Sequence, residues 1–172
     1  MNQRLPFCLL LIFAVTTATT LHAELRQGSH RVGGSFRLES FEDETNADFE
    51  AASSYLIRDY LESGFVLGVT KRQGSDTFGR VGGNVLWHIR PEKQVVPGVG
   101  LQLSRTFGYP ELFGQSGNFT VGEIFGNLEA FVTPSWSLTF RGSYQSWWGK
   151  PLDARGFVFR AGISAFLGGG ER

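Results

Sequence analysis

Several stretches of this chain alternate apolar and polar residues one for one, and that alternation is the feature that most limits its possible folds. The clearest is Arg155 to Leu167: Phe157, Phe159, Ala161, Ile163, Ala165 and Leu167 are apolar, with Arg160, Gly162 and Ser164 between them. A side-chain period of two makes this a β-strand with two unlike faces. A tilted strand of about 11 residues is what crosses a bilayer in a closed barrel. The chain is rich in glycine, with 23 residues, and beyond residue 23 no apolar run reaches helical membrane-spanning length.

The same period recurs along the chain. Residues 31–41 set Val32, Gly34, Phe36 and Leu38 against Arg31, Ser35, Arg37 and Glu39, and the acidic stretch 42–48 then reads as a first exposed loop. Residues 49–57 are ambiguous, because Phe49, Ala52, Ser53, Leu56 and Tyr60 also fall at helical spacing and Gly64 is placed to cap such a helix. Read as a strand, the segment turns at Arg58-Asp59-Tyr60 and returns through Phe65, Leu67 and Val69, with Glu62, Gly64 and Gly68 on the other face. Loop 71–77 leads to a strand with Arg80, Gly82, Asn84 and His88 on its polar face, then a turn at 90–94 and a strand over 95–104. The longest interruption, 106–120, holds Tyr109 and Phe113. It is followed by a strand bearing Glu123, Asn127 and Glu129, a turn at Thr133-Pro134-Ser135, a strand bearing Arg141, and a loop at 146–154 with Trp147 and Trp148. Eight strands result, an even number suited to closure. The connections after residues 42, 71, 106 and 146 are expected to be the longer ones and to lie at one end, with the short turns at the other.

Residues 1–23 read as an export signal: Arg4 precedes the apolar run Phe7–Val15, and Leu21-His22-Ala23 offers a cleavage site. That leaves residues 24–172 as one barrel domain. The only cysteine, Cys8, lies in the signal, so a processed chain has no disulfide and no thiol metal site. Sixteen basic and sixteen acidic residues balance, leaving no broad positive field for nucleic acid.

Alternation alone does not say which face is outside. A soluble lipocalin-type barrel has the apolar face inward and a membrane barrel has it outward. Three features favour the membrane reading: a polar face of small residues mixed with charges of both signs, lysines confined to loops and turns, and aromatics near strand ends. Those aromatics are Tyr60, Trp87 and Trp136 by the short turns, and Phe41, Phe49, Phe78, Phe107, Tyr144, Trp147 and Phe157 towards the long loops. The expected fold is therefore all-β, an eight-stranded antiparallel up-and-down transmembrane β-barrel. The closing residues Arg160-Ala161-Gly162-Ile163-Ser164-Ala165-Phe166-Leu167 resemble the insertion signal of the small eight-stranded outer-membrane barrels of the OmpA/OmpX type, with their porin-like and opacity-like relatives. The resemblance implies a bacterial outer-membrane location, outer-membrane lipid and lipopolysaccharide as surroundings, and the outer-membrane insertion machinery as a partner.

An eight-stranded barrel is just wide enough for side chains to fill it. Arg37, Arg80, Arg141 and Arg160 are accordingly expected to share Glu39, Glu62, Glu123 and Glu129 in a buried structural network, the alternative being a narrow pore. Tyr109, Phe113, Trp147 and Trp148 are candidates for a loop interaction with a cell-surface partner, or for anchoring at the membrane interface. A lipid-modifying enzyme is a third reading, disfavoured because the only histidines after residue 23, His30 and His88, both fall near the short-turn end. Neither has a histidine or cysteine at ligand spacing, so no metal or cofactor is expected.

Overall fold

A computed structural model describes residues 25–41, 44–72, 77–91, 93–108, 118–149 and 154–168. The segment 1–23, Tyr109 and Phe113 lie outside the described residues, as does the side chain of Glu39. Eight strands are present: β1 (His30–Phe41), β2 (Glu44–Arg58), β3 (Leu61–Arg72), β4 (Thr77–His88), β5 (Val95–Phe107), β6 (Thr120–Thr133), β7 (Trp136–Trp148) and β8 (Ala154–Leu167). Each pairs antiparallel with the next, and β8 returns to β1, so the sheet closes into an up-and-down barrel with no free edge. Residues 49–57 are strand, not helix. Their apolar residues Phe49, Tyr55 and Ile57 face outward, so the period of two overrides the coincidental helical spacing.

The strands are longer at the loop end than the sequence suggests. β2 already begins at Glu44, where it pairs with Phe41, so 44–48 is strand, not loop, and only residues 42–43 separate β1 from β2. Thr106 and Phe107 belong to β5, and Trp147 and Trp148 to β7. At 44–48 the cause is that strand above the apolar belt needs no outward apolar residue, so polar composition there does not mark a loop.

The apolar face is the outer one. Phe65, Phe157 and Phe159 are each about three-quarters exposed, at 74%, 76% and 76%, and every strand adds further exposed apolar residues. A continuous apolar surface of this extent marks a membrane-facing wall and rules out the lipocalin arrangement. Two aromatics assigned to the outer belts lie elsewhere. Phe78 points into the barrel and is buried, and Trp147 is half-buried with its ring edge-on to Phe119, 6.4 Å between centroids.

The interior is layered. At the short-turn end, Leu56, Val96, Phe131 and Phe166 meet Leu25, from the segment that folds under the barrel before β1, in an apolar floor. That segment is held by bonds from Gly28 N–H to the Leu56 carbonyl and from Leu56 N–H to the Ser29 carbonyl, both 2.9 Å. Above the floor lies a polar middle. Towards the loops, Phe119 is fixed by Thr106, whose hydroxyl accepts from the Phe119 N–H at 2.9 Å.

Candidate functional site

Inward positions of all eight strands converge on the polar middle, which has three centres. In the lowest, Glu62 accepts from Arg31 Nη1 at 3.0 Å and from Ser54 Oγ, and its second oxygen lies 2.9 Å from His88 Nε2. Arg31 also donates from Nε to Ser164 Oγ at 3.0 Å and stands 3.5 Å from Glu129, which accepts from Ser137 Oγ at 2.7 Å.

In the second centre, Glu50 accepts from Arg80, from Gln102 Nε2 at 3.1 Å and from Arg141 Nη1 at 3.2 Å. The Arg141 guanidinium lies 4.1 Å above the Phe125 ring centroid, a cation–π contact in a desolvated setting. The Phe125 ring in turn needs Gly100: a Cβ there would sit 2.3 Å from it.

The third centre is nearest the loops. Arg160 Nη1 donates to Glu123 at 2.9 Å while its Nη2 lies 3.5 Å from Asp48, and Gln145 donates to Glu123 at 2.6 Å. Asp48 accepts from Thr70 Oγ1 at 3.0 Å, with Arg37 and Arg80 at 3.7 and 3.9 Å. Burying these ions is tolerable only because each faces an opposite charge and further donors or acceptors. Among Arg31, Glu50, Arg141 and Arg160 a void of about 20 Å³ remains, room for a single water.

The structure distributes the sequence-derived residues as follows. Arg80 and Arg141 meet on Glu50, Arg37 approaches Asp48, and Arg160 spans Glu123 and Asp48. Glu62 and Glu129 are taken by Arg31, which sequence reasoning placed in the lumen without giving it a partner. Glu50 and Asp48 are the acids it missed. Both are in phase with Ser54 on the inward face, so parity was the available signal, and the reading of 42–48 as a loop concealed Asp48. His30 lies outside, its ring 4.9 Å from that of Tyr55, while His88 is sealed inside, so the two cannot act together. Trp148 is half-exposed on the outer wall of β7, not in a loop.

Among solved structures, the chain is similar to the N-terminal β-barrel domain of Pseudomonas aeruginosa OprF. The TM-score is 0.62 at 14% identity, over 82% of this chain and 98% of that one. What the two share is the fold, here a closed eight-stranded antiparallel β-barrel. A de novo designed transmembrane β-barrel is also similar to this chain, with a TM-score of 0.50 and 15% identity over 84% of this chain and 99% of the designed one. No protein-family model and no curated protein matches the sequence. The likeness is therefore one of backbone architecture, and the charged lumen of this barrel has to be interpreted from its own geometry.

Proposed function

We propose that the protein is a non-catalytic barrel of a bacterial outer membrane with a closed lumen, contributing to envelope integrity and presenting its upper loops for adhesion or interaction. The observation that carries this reading is the ion-paired network of the described residues, which draws a side chain from every strand and in which the void among Arg31, Glu50, Arg141 and Arg160 is water-sized. A conducting path would need the network broken at all three centres. Catalysis of the hydrolase kind would need a base with access to a nucleophile and substrate, whereas His88 is buried against Glu62. Outer-membrane lipid and lipopolysaccharide surround the belt, the insertion machinery delivers the chain, and Tyr109 and Phe113 supply the loop contact with a cell-surface partner.

The test is fractionation followed by gel mobility in SDS with and without boiling, then conductance in a planar bilayer. The expected result is an outer-membrane protein whose unboiled form runs faster and which passes no steady current. Steady channel openings would replace this reading with that of a narrow pore. A loop role is tested separately by deleting 109–117: binding to cells should fall while the mobility shift persists, and unchanged binding would remove the loop from the proposal.

A further inference from the structure

The outer wall has glycines of two kinds. Four of them lie under aromatic rings: Gly34 under Phe49, Gly79 under Phe107, Gly122 under Trp148 and Gly142 under Phe159, with an added Cβ 2.4–3.5 Å from the ring. This is the covering of a bare backbone by a neighbouring strand's aromatic. Gly83 and Gly126 are different. An added Cβ would have only the Gly142 carbonyl, at 4.0 Å, for company at Gly126, and only the Gly64 carbonyl, at 3.5 Å, at Gly83. Gly83 faces outward between Phe65 on β3 and Leu103 on β5, to both of which it is paired. The pairing continues from Leu103 to Gly122, Ser146 and Arg155. A row in which Gly83, Gly122 and Ser146 are set among larger residues thus runs round the wall, leaving a shallow groove of about 770 Å³ edged by Val85, Leu101, Ile124, Tyr144 and Trp148. That volume is in the range of about 300–1,000 Å³ found for small-ligand sites.

The loop-side rim of the groove is cationic. Arg105 follows Leu103 by two residues on the same face, about 7 Å along the strand, and is paired with Thr120, to whose hydroxyl it donates at 3.4 Å. Arg155 ends the row on β8, beside Ser146. Both are exposed, and among the described residues neither has a carboxylate partner, nor does any acidic side chain of a strand face outward. Outward arginine is disfavoured on a lipid-facing wall, less so near the interface, and Phe107, one step above Arg105, is a residue of that interface belt. A second groove, of about 730 Å³ over Gly126 and Gly142, has no outward charge at its rim among the described residues.

We propose that the Gly83 groove holds one acyl lipid of the loop-side leaflet, its chain lying over Gly83 and against the Trp148 ring that covers Gly122, and its phosphate-bearing headgroup bound by Arg105. This assignment rests on the membrane-barrel reading above and adds a specific lipid to it. The apolar floor matches an acyl chain, and a guanidinium at the headgroup level with no carboxylate partner among the described residues, that of Arg105, matches a phosphate, to which arginine binds bidentately.

The test is native mass spectrometry of the processed full chain in detergent, titrated with phosphatidylglycerol or phosphatidylcholine, with the boiling gel shift run on every variant. One phosphatidylglycerol should be retained about tenfold more strongly than phosphatidylcholine. Arg105→Gln should abolish the preference, and Gly83→Leu, which fills the trough without touching Arg105, should weaken retention of both lipids. Equal retention of the two lipids by the wild type overturns the proposal, as does a dimer that forms without lipid and is lost in Gly83→Leu, which would make the occupant a second copy of the chain. Absence of a gel shift in the wild type would instead defeat the barrel reading itself.

Discussion

Glu50 is where one residue matters most to the interior. It answers two guanidiniums, those of Arg80 and Arg141, and is itself almost fully buried. Removing one member of a buried ion pair strands the other, at a cost of about 3–5 kcal/mol. Glu50→Ala should therefore lower the urea midpoint of the folded barrel in detergent far more than Arg105→Gln, whose guanidinium stands at the rim of the wall. Equal midpoints would mean that water reaches the lumen and screens its charges. Inward-facing charge as such was legible from alternation at Arg80, Glu123, Arg141 and Arg160. The pairing was not, because partners such as Glu50 and Arg141 are brought together by curvature across the barrel, and alternation along a strand carries no information about what lies opposite.

Among the elements, the β1–β8 seam is the most exposed to failure. It pairs only His30–Phe36 with Ala161–Leu167, whereas β1 pairs with β2 over its whole length. Within the seam a Cβ on Gly162 would meet the Gly34 carbonyl at 2.3 Å and the Ser35 backbone at 2.9 Å. Gly162→Ala forces that seam apart, and overpacking of this kind costs about 1–3 kcal/mol. Gly156→Ala, on the same strand with nothing near the added methyl, should be neutral. Thermal loss of the fast-migrating unboiled band compares the two, and an equal loss would mean that the seam has slack to give. Strand ends were the least legible feature of the elements, since the belt's apolar residues stop before the hydrogen bonds do. The apolar floor did leave a signal that went unread. Leu56-Ile57, Val95-Val96, Phe131-Val132 and Phe166-Leu167 each break the alternation at the same end of their strands, because there both faces are apolar: one meets lipid and the other the floor.

For the whole molecule, strand order and closure fix which connections share an end. In an outer membrane with the upper loops outside, Asn118→Cys should react with a membrane-impermeant maleimide on intact cells, while Lys93→Cys should react only after the membrane is opened. The reverse pattern would invert the orientation. The assay is clean because the chain's only cysteine, Cys8, precedes the expected cleavage point. At this scale the sequence was most informative: alternation and strand number follow from local periods, and the direction of the apolar face from a polar face of small residues with charges of both signs and from aromatics near strand ends. The shape of the outer wall does not, because whether a glycine is covered depends on an aromatic one strand away.

The interior network also bears on how such a chain can be assembled. Arg141 on β7 is neutralised by Glu50 on β2, and Arg160 on β8 by Asp48 on β2 and Glu123 on β6, so its charges are matched across the circumference more than between neighbours. An open, partly formed sheet in a bilayer would present unmatched ions to hydrocarbon. Closure is then an all-or-none event, in which the first strands stay wetted until the last one docks and completes the charge balance of them all.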